Sequence, residues 1–185
     1  MDKSDAITYL KNTARSINDY PKKGIIFRDL TTIFQDEKAM AISLDLLSGF
    51  LIDENSRRIS YDKFAGIEAR GFLLAGALCG KLGGGVVMIR KPGKLPYHKK
   101  RMEYKLEYGE DALEIHNDAI RPGEKIIVVD DLLATGGTAE AGCKLIEELG
   151  GIVIKVLFLV ELPALEGRKK LKKYNLDSVI TFEGM

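Results

Sequence analysis

Two adjacent carboxylates, Asp130 and Asp131, stand just ahead of Ala134-Thr135-Gly136-Gly137-Thr138. Upstream, residues 125–129 are apolar and β-branched, the pattern of a buried strand. Downstream, residues 140–149 have helical spacing, with Ala141, Leu145, Ile146 and Leu149 on one side. A Gly/Thr-rich bend between a strand and a helix turns free backbone N–H groups toward one point, with the positive end of the helix dipole behind them. Such a point holds an anion, a phosphate above all. Aspartates ionised beside it only accept hydrogen bonds, so they suit hydroxyl groups or a hydrated divalent cation. An anion seat next to acceptors for a diol matches the two ends of a ribose 5-phosphate. The segment is neither a nucleotide-binding Gly-x-x-x-x-Gly-Lys loop, because Thr138 follows Gly137, nor a Gly-x-Gly-x-x-Gly dinucleotide turn.

A second strand-turn-helix segment, Gly66-Ile67-Glu68-Ala69-Arg70-Gly71-Phe72, carries Arg70, whose planar fork could take a second phosphate. By itself this is an ordinary turn with a solvated arginine; the Asp-Asp segment gives it a partner. A long polar stretch, residues 91–105, holds Lys91, Lys94, Lys99, Lys100, Arg101 and Lys105 against a single acid, Glu103. Loops this long inside compact domains are mostly lids or disordered. A charge run is usually solvated surface, but a basic loop beside an anion site fits a lid that draws in a polyanion and then excludes water. Glu107, in Leu106-Glu107-Tyr108-Gly109 at the end of that stretch, is then a carboxylate a lid could deliver as acid or base.

The elements that must position these groups follow from periodicity. Residues 5–17 read as an amphipathic helix, with Ile7, Leu10, Ala14 and Ile17 on one face, and residues 37–52 as a second helix. Strands are expected at 64–67, 86–89, 152–159 and 178–182, helices at 72–82 and 163–173, and a short added ribbon at 113–115. Alternating strands and helices predict an α/β fold, a mostly parallel twisted sheet flanked by helices, in one domain spanning residues 1–185. Ligands of such sheets bind beyond the carboxyl ends of the strands, where Asp130, Asp131 and Arg70 are all expected.

Composition narrows the class further. With 45% hydrophobic and 30% charged residues the chain is an ordinary globular one, and a net charge of +1 supplies no general pull toward nucleic acid or membrane. Cys79 and Cys143 have no motif partner and are expected as buried free thiols in a reducing cytoplasm. With only His98 and His116, no Cys/His zinc cluster is suggested. The N-terminus has early aspartates and no signal-peptide core, and residues 152–160 are too few to span a bilayer.

Near the N-terminus stands Asp19-Tyr20-Pro21-Lys22-Lys23-Gly24-Ile25-Ile26-Phe27-Arg28-Asp29-Leu30-Thr31. Together with residues 68–72, Arg90-Lys91-Pro92-Gly93-Lys94-Leu95-Pro96, residues 106–109 and residues 128–138, it resembles the adenine phosphoribosyltransferases of the type I phosphoribosyltransferase family. The likeness runs from about residue 19 to residue 171 in the family's order. The Asp-Asp loop is common to many phosphoribosyltransferases; Ile-Ile-Phe-Arg-Asp and Leu-Glu-Tyr-Gly are more particular to the adenine enzymes.

The resemblance implies a type I fold with a small N-terminal hood, about residues 1–35, and a flexible lid loop, about residues 91–108. It implies Mg²⁺-dependent transfer of the phosphoribosyl group of phosphoribosyl pyrophosphate (PRPP) to N9 of adenine, giving AMP and pyrophosphate, in a cytoplasmic purine-salvage enzyme that works as a homodimer. Phe27 would stack on the base while main-chain groups of Ile26 and Arg28 read its edge. Ala134, Thr135, Gly136, Gly137 and Thr138 would hold the 5-phosphate, and Asp130 and Asp131 the ribose hydroxyls. Arg70, Lys94 and Tyr108, with Lys91 assisting, would hold pyrophosphate, and Glu107 would be the catalytic acid/base. No direct protein ligand is assigned to Mg²⁺, which PRPP and water would mainly hold. The chain departs from the family's pattern at Lys23, where proline is frequent, and in a more basic lid. Two rivals stay open: a phosphoribosyltransferase for hypoxanthine/guanine, xanthine or orotate, and a PRPP-sensing regulator that binds nucleic acid.

Overall fold

The computed structural model describes residues 1–105 and 110–184. Its centre is a parallel sheet built from β3 (Lys63–Ile67), β4 (Gly85–Ile89), β7 (Lys125–Leu133), β8 (Ile152–Glu161) and β9 (Leu176–Thr181), in the spatial order β4-β3-β7-β8-β9. Alternation along each strand sends side chains to two apolar layers. Phe64, Ile127, Val129, Leu157 and Leu159 pack with α3 (Glu37–Gly49) and α4 (Gly71–Leu82) on one face. Ala65, Val128, Val156 and Phe158 pack with α5 (Gly137–Glu148) on the other. Both faces being covered, the strands read as continuous hydrophobic runs. From β3 the chain crosses outward to β4, whereas from β7 it proceeds the other way through β8 to β9. The order therefore reverses between β3 and β7, and the crevice beyond their carboxyl ends is the natural ligand position of such a sheet.

Two small ribbons decorate this frame. At the N-terminus, α1 (Lys3–Thr13) is capped by Asp2, whose side chain accepts from the Asp5 amide at 2.8 Å. It leads into an antiparallel hairpin of β1 (Arg15–Asn18) and β2 (Ile26–Asp29), followed by the short α2 (Thr31–Gln35). The helix expected to reach residue 17 thus ends at Thr13. Ala14 already has extended backbone (ψ 126°), and Ile17 lies exposed in β1. The second ribbon pairs β5 (Lys99–Lys105) with β6 (Glu110–His116).

That ribbon corrects the expected irregular lid. Residues 99–105 form a strand, and the ribbon expected at 113–115 extends over the whole of β6. Met102 and Tyr104 pack against the α5-side layer together with Leu113 and Ile115, which is why the segment is ordered as a strand despite its charge. Three further corrections are smaller. β7 continues past residue 129, pairing Leu132 with Val160 and Leu133 with Glu161, so the two aspartates lie inside the strand's end. The helix expected at 163–173 is a 3-10 turn (Pro163–Leu165) and a single helical turn, α6 (Gly167–Lys170), separated by Glu166 in left-handed conformation (φ 54°). Cys143 is buried as expected, but Cys79 is only half-buried; both are free thiols.

Candidate active site

Asp130 and Asp131 sit at the carboxyl end of β7, and the chain after them bends through Ala134 and Thr135 to Gly136, the residue ahead of α5. The bend requires glycine at 136, where φ is +79°. Asp130, Leu132, Leu133, Ala134, Thr135, Gly136, Thr138 and Ala139, with Phe158 behind them, line a pocket of about 80 Å³. That is far below the size of a site for a whole ligand and on the scale of one phosphoryl group. Gly137 opens α5, so its amide belongs to the first turn, whose N–H groups have no partner within the helix.

The two carboxyls behave differently from surface aspartates. Burial pushes the Asp130 carboxyl well above the usual range, and the charge of Asp131 pushes it further. Asp131 is also raised by burial, against the pull of Arg70. Asp131 accepts nothing in line at its buried Oδ2. Arg70 Nε nevertheless lies 2.5 Å from that atom, an ion-pair contact without hydrogen-bond alignment. Arg70 immediately precedes α4. The pair therefore spans the crevice between β3 and β7 and brings together two groups that sequence spacing alone leaves far apart.

Around Arg70 the β3–α4 turn is braced by Glu68. Its carboxylate accepts from the Lys91 amide at 2.8 Å and from Arg90 Nε at 3.2 Å. Burial alone would raise Glu68, but these bonds hold it below the usual carboxylate range. Lys91 and Lys94 follow β4. The Lys94 side chain is exposed, while its carbonyl accepts from Arg90 Nη1 at 3.1 Å. Lys91 is not free in solvent: Nζ donates to Tyr104 Oη at 2.8 Å and to Asp111 Oδ2. Tyr104 Oη in turn donates to Asp111 Oδ2 at 3.2 Å and accepts from Thr138 Oγ1 at 3.3 Å. One phenol thus joins the β5–β6 ribbon, Lys91 and the pocket residue Thr138. Burial opposes the charge on Lys91, but the bonds to Asp111 and Tyr104 raise its pKa, and they hold Asp111 below its usual range.

The β1–β2 hairpin reaches the same end of the sheet. Arg28 lies 4.3 Å over the ring of Phe182, the residue after β9, and donates to Ser16 Oγ. The Phe182 amide donates to the Glu161 carbonyl at 3.1 Å. Phe27 is half-buried and meets Tyr20 edge-on with ring centroids 5.3 Å apart, and Ile26 is half-buried beside it. Asp29 is held below the usual range mainly by hydrogen bonds from Thr31, with Arg15 and Arg70 adding their charge. The β1–β2 hairpin and the crevice therefore share an electrostatic environment. Glu107 and Tyr108 lie outside the described residues.

Sequence reasoning missed Tyr104, Asp111, Glu161, Gly167 and Arg168. The first two had a signal in the alternation of Met102 and Tyr104 with charged neighbours, which a strand partner at 110–116 completes. Glu161 and Arg168 had none, because their pairing depends on how short α6 turns back on β8.

The fold and this crevice define a phosphoribosyl-transferring class of protein. Residues 31–184 match the family of phosphoribosyl transferase domains. A relative named adenine phosphoribosyltransferase from Geobacter metallireducens is 50% identical over 173 residues, covering 94% of this chain and 98% of its own length. The crystal structure of adenine phosphoribosyltransferase from Thermoanaerobacter pseudethanolicus is 48% identical, with a TM-score of 0.88 over 95% of this chain and 99% of that one. The Saccharomyces cerevisiae enzyme, solved in complex with an imino-altritol bisphosphate and adenine, is 35% identical, with a TM-score of 0.88 over 95% of this chain and 99% of that one. The chain belongs to the adenine phosphoribosyltransferase family.

Proposed function

We propose that this protein transfers the phosphoribosyl group of PRPP to N9 of adenine, releasing pyrophosphate and forming AMP in purine salvage. The observation that carries the proposal is the pocket at residues 134–138 adjoining Asp130 and Asp131, with Arg70 facing them across the crevice. In this reading the loop amides and Thr138 hold the 5-phosphate, and the two aspartates take the ribose hydroxyls, which satisfies the unaligned Oδ2 of Asp131. Arg70, freed from Asp131 by the sugar, turns to the pyrophosphate with Lys94, Lys91 and Tyr108. Phe27 stacks on adenine, whose edge the main chain of Ile26 and Arg28 reads. In this reading the whole chain forms one catalytic domain, with the hood at 1–35 and a lid at about 91–108 in which residues 99–105 are the strand β5 rather than an irregular loop.

The attacked carbon is anomeric, so positive charge develops there as pyrophosphate departs, as in glycoside cleavage. No protein nucleophile is needed. Fixed cations stabilise the leaving group, co-positioning of two substrates lowers the entropic part of the barrier, and Glu107 moves the proton at the purine imidazole. When bound with PRPP, Mg²⁺ would supply charge neutralisation at the pyrophosphate. Among the described residues no cluster of three or more Asp, Glu, His or Cys side chains could hold a metal. In this reading Mg²⁺ would be held mainly by oxygens of PRPP and by water.

The protein acts as a homodimer in the cytoplasm, where Cys79 and Cys143 stay reduced. Exposed apolar side chains on the edge strand β4, Val86 (42%) and Met88 (49%), support the dimer. The test is direct: incubate the protein with PRPP, Mg²⁺ and, separately, adenine, hypoxanthine, guanine, xanthine and orotate, and separate the nucleotides. AMP from adenine alone is the expected result; an oxopurine or orotate nucleotide in place of AMP would refute the assignment.

A further inference from the structure

A second set of residues, Glu161, Gly167 and Arg168, backs the phosphate loop from behind, and none of the three is assigned to substrate. Gly167 and the loop touch backbone to backbone. A Cβ on Gly136 would meet the Gly167 carbonyl oxygen at 2.6 Å, and a Cβ on Gly167 would meet the Ala134 carbonyl oxygen at 2.3 Å. Neither position has room for a side chain, so any movement of Gly167 is felt by residues 134–136. The next residue, Arg168, is held by a two-pronged ion pair. Its Nε lies 2.7 Å from Glu161 Oε1 and its Nη2 lies 2.8 Å from Glu161 Oε2. Nη1 donates to the Leu176 carbonyl at 3.2 Å, and Ser178 Oγ donates to Glu161 Oε2 at 2.6 Å. Glu161 is 5% exposed and is the register partner of Leu133, the residue that leads into the loop. The contacts close a ring: Leu133, the loop, Gly167, Arg168, Glu161 and back to Leu133.

We infer that Arg168 and Glu161 are positioning residues for 5-phosphate binding: their forked pair fixes Gly167, and Gly167 fixes the curvature of the phosphate loop. The inference rests on the proposed use of that loop. A lysine at 168 keeps the charge but lacks the planar fork that grips both carboxylate oxygens, so it loosens the ring without removing the cation. Hydroxyl loss in Ser178→Ala removes one brace of Glu161 and leaves the ion pair.

The test measures ribose 5-phosphate binding by calorimetry and steady-state kinetics for wild type, Arg168→Lys and Ser178→Ala. In Arg168→Lys the Kd for ribose 5-phosphate rises about tenfold and KM for PRPP rises in parallel, more than kcat falls, while KM for adenine stays within twofold. Ser178→Ala shows the same pattern at about two- to threefold. If Arg168→Lys binds ribose 5-phosphate with wild-type Kd, and only the melting temperature or the active fraction drops, the pair is structural and the inference is overturned. Wild-type protein that fails to bind ribose 5-phosphate would instead overturn the phosphate-loop assignment, and the positioning role with it.

Discussion

Substituting Gly136 by alanine adds a single methyl at the point where the loop is tightest. The backbone there has φ of +79°, where an L-residue is disfavoured by about 1–2 kcal/mol. The new Cβ would sit 2.6 Å from the Gly167 carbonyl oxygen, closer than real Cβ contacts come, so one of the two backbones must shift. Forcing a methyl into a packed site costs about 1–3 kcal/mol. The sum, about 2–5 kcal/mol, can appear in two places. If the loop keeps its shape, the cost falls on the folded state, and at about 2–4 °C per kcal/mol the melting temperature drops by about 4–20 °C. If the loop moves away from Gly167, the cost falls on the ligand, and KM for PRPP rises by about thirtyfold or more at 1.36 kcal/mol per decade. Differential scanning fluorimetry with and without ribose 5-phosphate, together with PRPP titrations at fixed adenine, separates the two. A variant that melts within 2 °C of wild type, as ~1 kcal/mol or less would give, and keeps its KM for PRPP would refute the claim that this glycine is required.

Glu107→Gln should lower kcat by about 10²–10⁴-fold with ribose 5-phosphate affinity retained, measured by stopped assays and calorimetry; undiminished turnover removes Glu107 from the chemistry. Asp130→Asn should weaken PRPP while stabilising the ligand-free protein. The raised carboxyl of Asp130 contributes stability below its unfolded pKa of about 4, which is lost as pH rises through the higher folded value, and the amide escapes that loss. Melting curves from pH 4 to 8 should therefore diverge upward for the variant, and coincident curves would contradict the burial argument. Asp111→Asn frees Lys91 from its carboxylate and should raise KM for PRPP several-fold, with the largest change at low salt; a variant KM equal to wild type at low salt would show that the tether does not set the position of Lys91.

How much of this was legible in the chain depends on whether the signal was local. The β7–loop–α5 unit was, because an apolar run, a Gly-rich bend and an amphipathic helix follow one another without interruption. So were β3 and α4, which end and begin within one residue of expectation. Residues 99–105 were not, because five charged residues, Lys99, Lys100, Arg101, Glu103 and Lys105, mask a strand whose inward apolar residues, Met102 and Tyr104, are few. Ile17 fits a helical face by spacing, yet the chain has already become extended at Ala14. In the site, the aspartates and the loop could be named from sequence alone. The meeting of Arg70 with Asp131, the tie from Lys91 through Tyr104 to Thr138, and the Glu161–Arg168 fork are products of strand order and could not.

The reversal of strand order between β3 and β7 also has a folding consequence. The crevice has one wall from each half of the sheet, and the two walls are separated by roughly sixty residues, a stretch that includes α4, β4 and the second ribbon. The β7 half carries the loop and the two aspartates and the β3 half carries Arg70, so a partly assembled chain lacks one wall of the site. Any ligand seated there engages only the finished sheet and shifts the folding equilibrium by RT ln(1 + [L]/Kd), about 2.7 kcal/mol at a hundred times Kd. Supply of the donor would then govern protein lifetime as well as flux, lengthening survival against proteases when substrate is abundant and shortening it when substrate runs out.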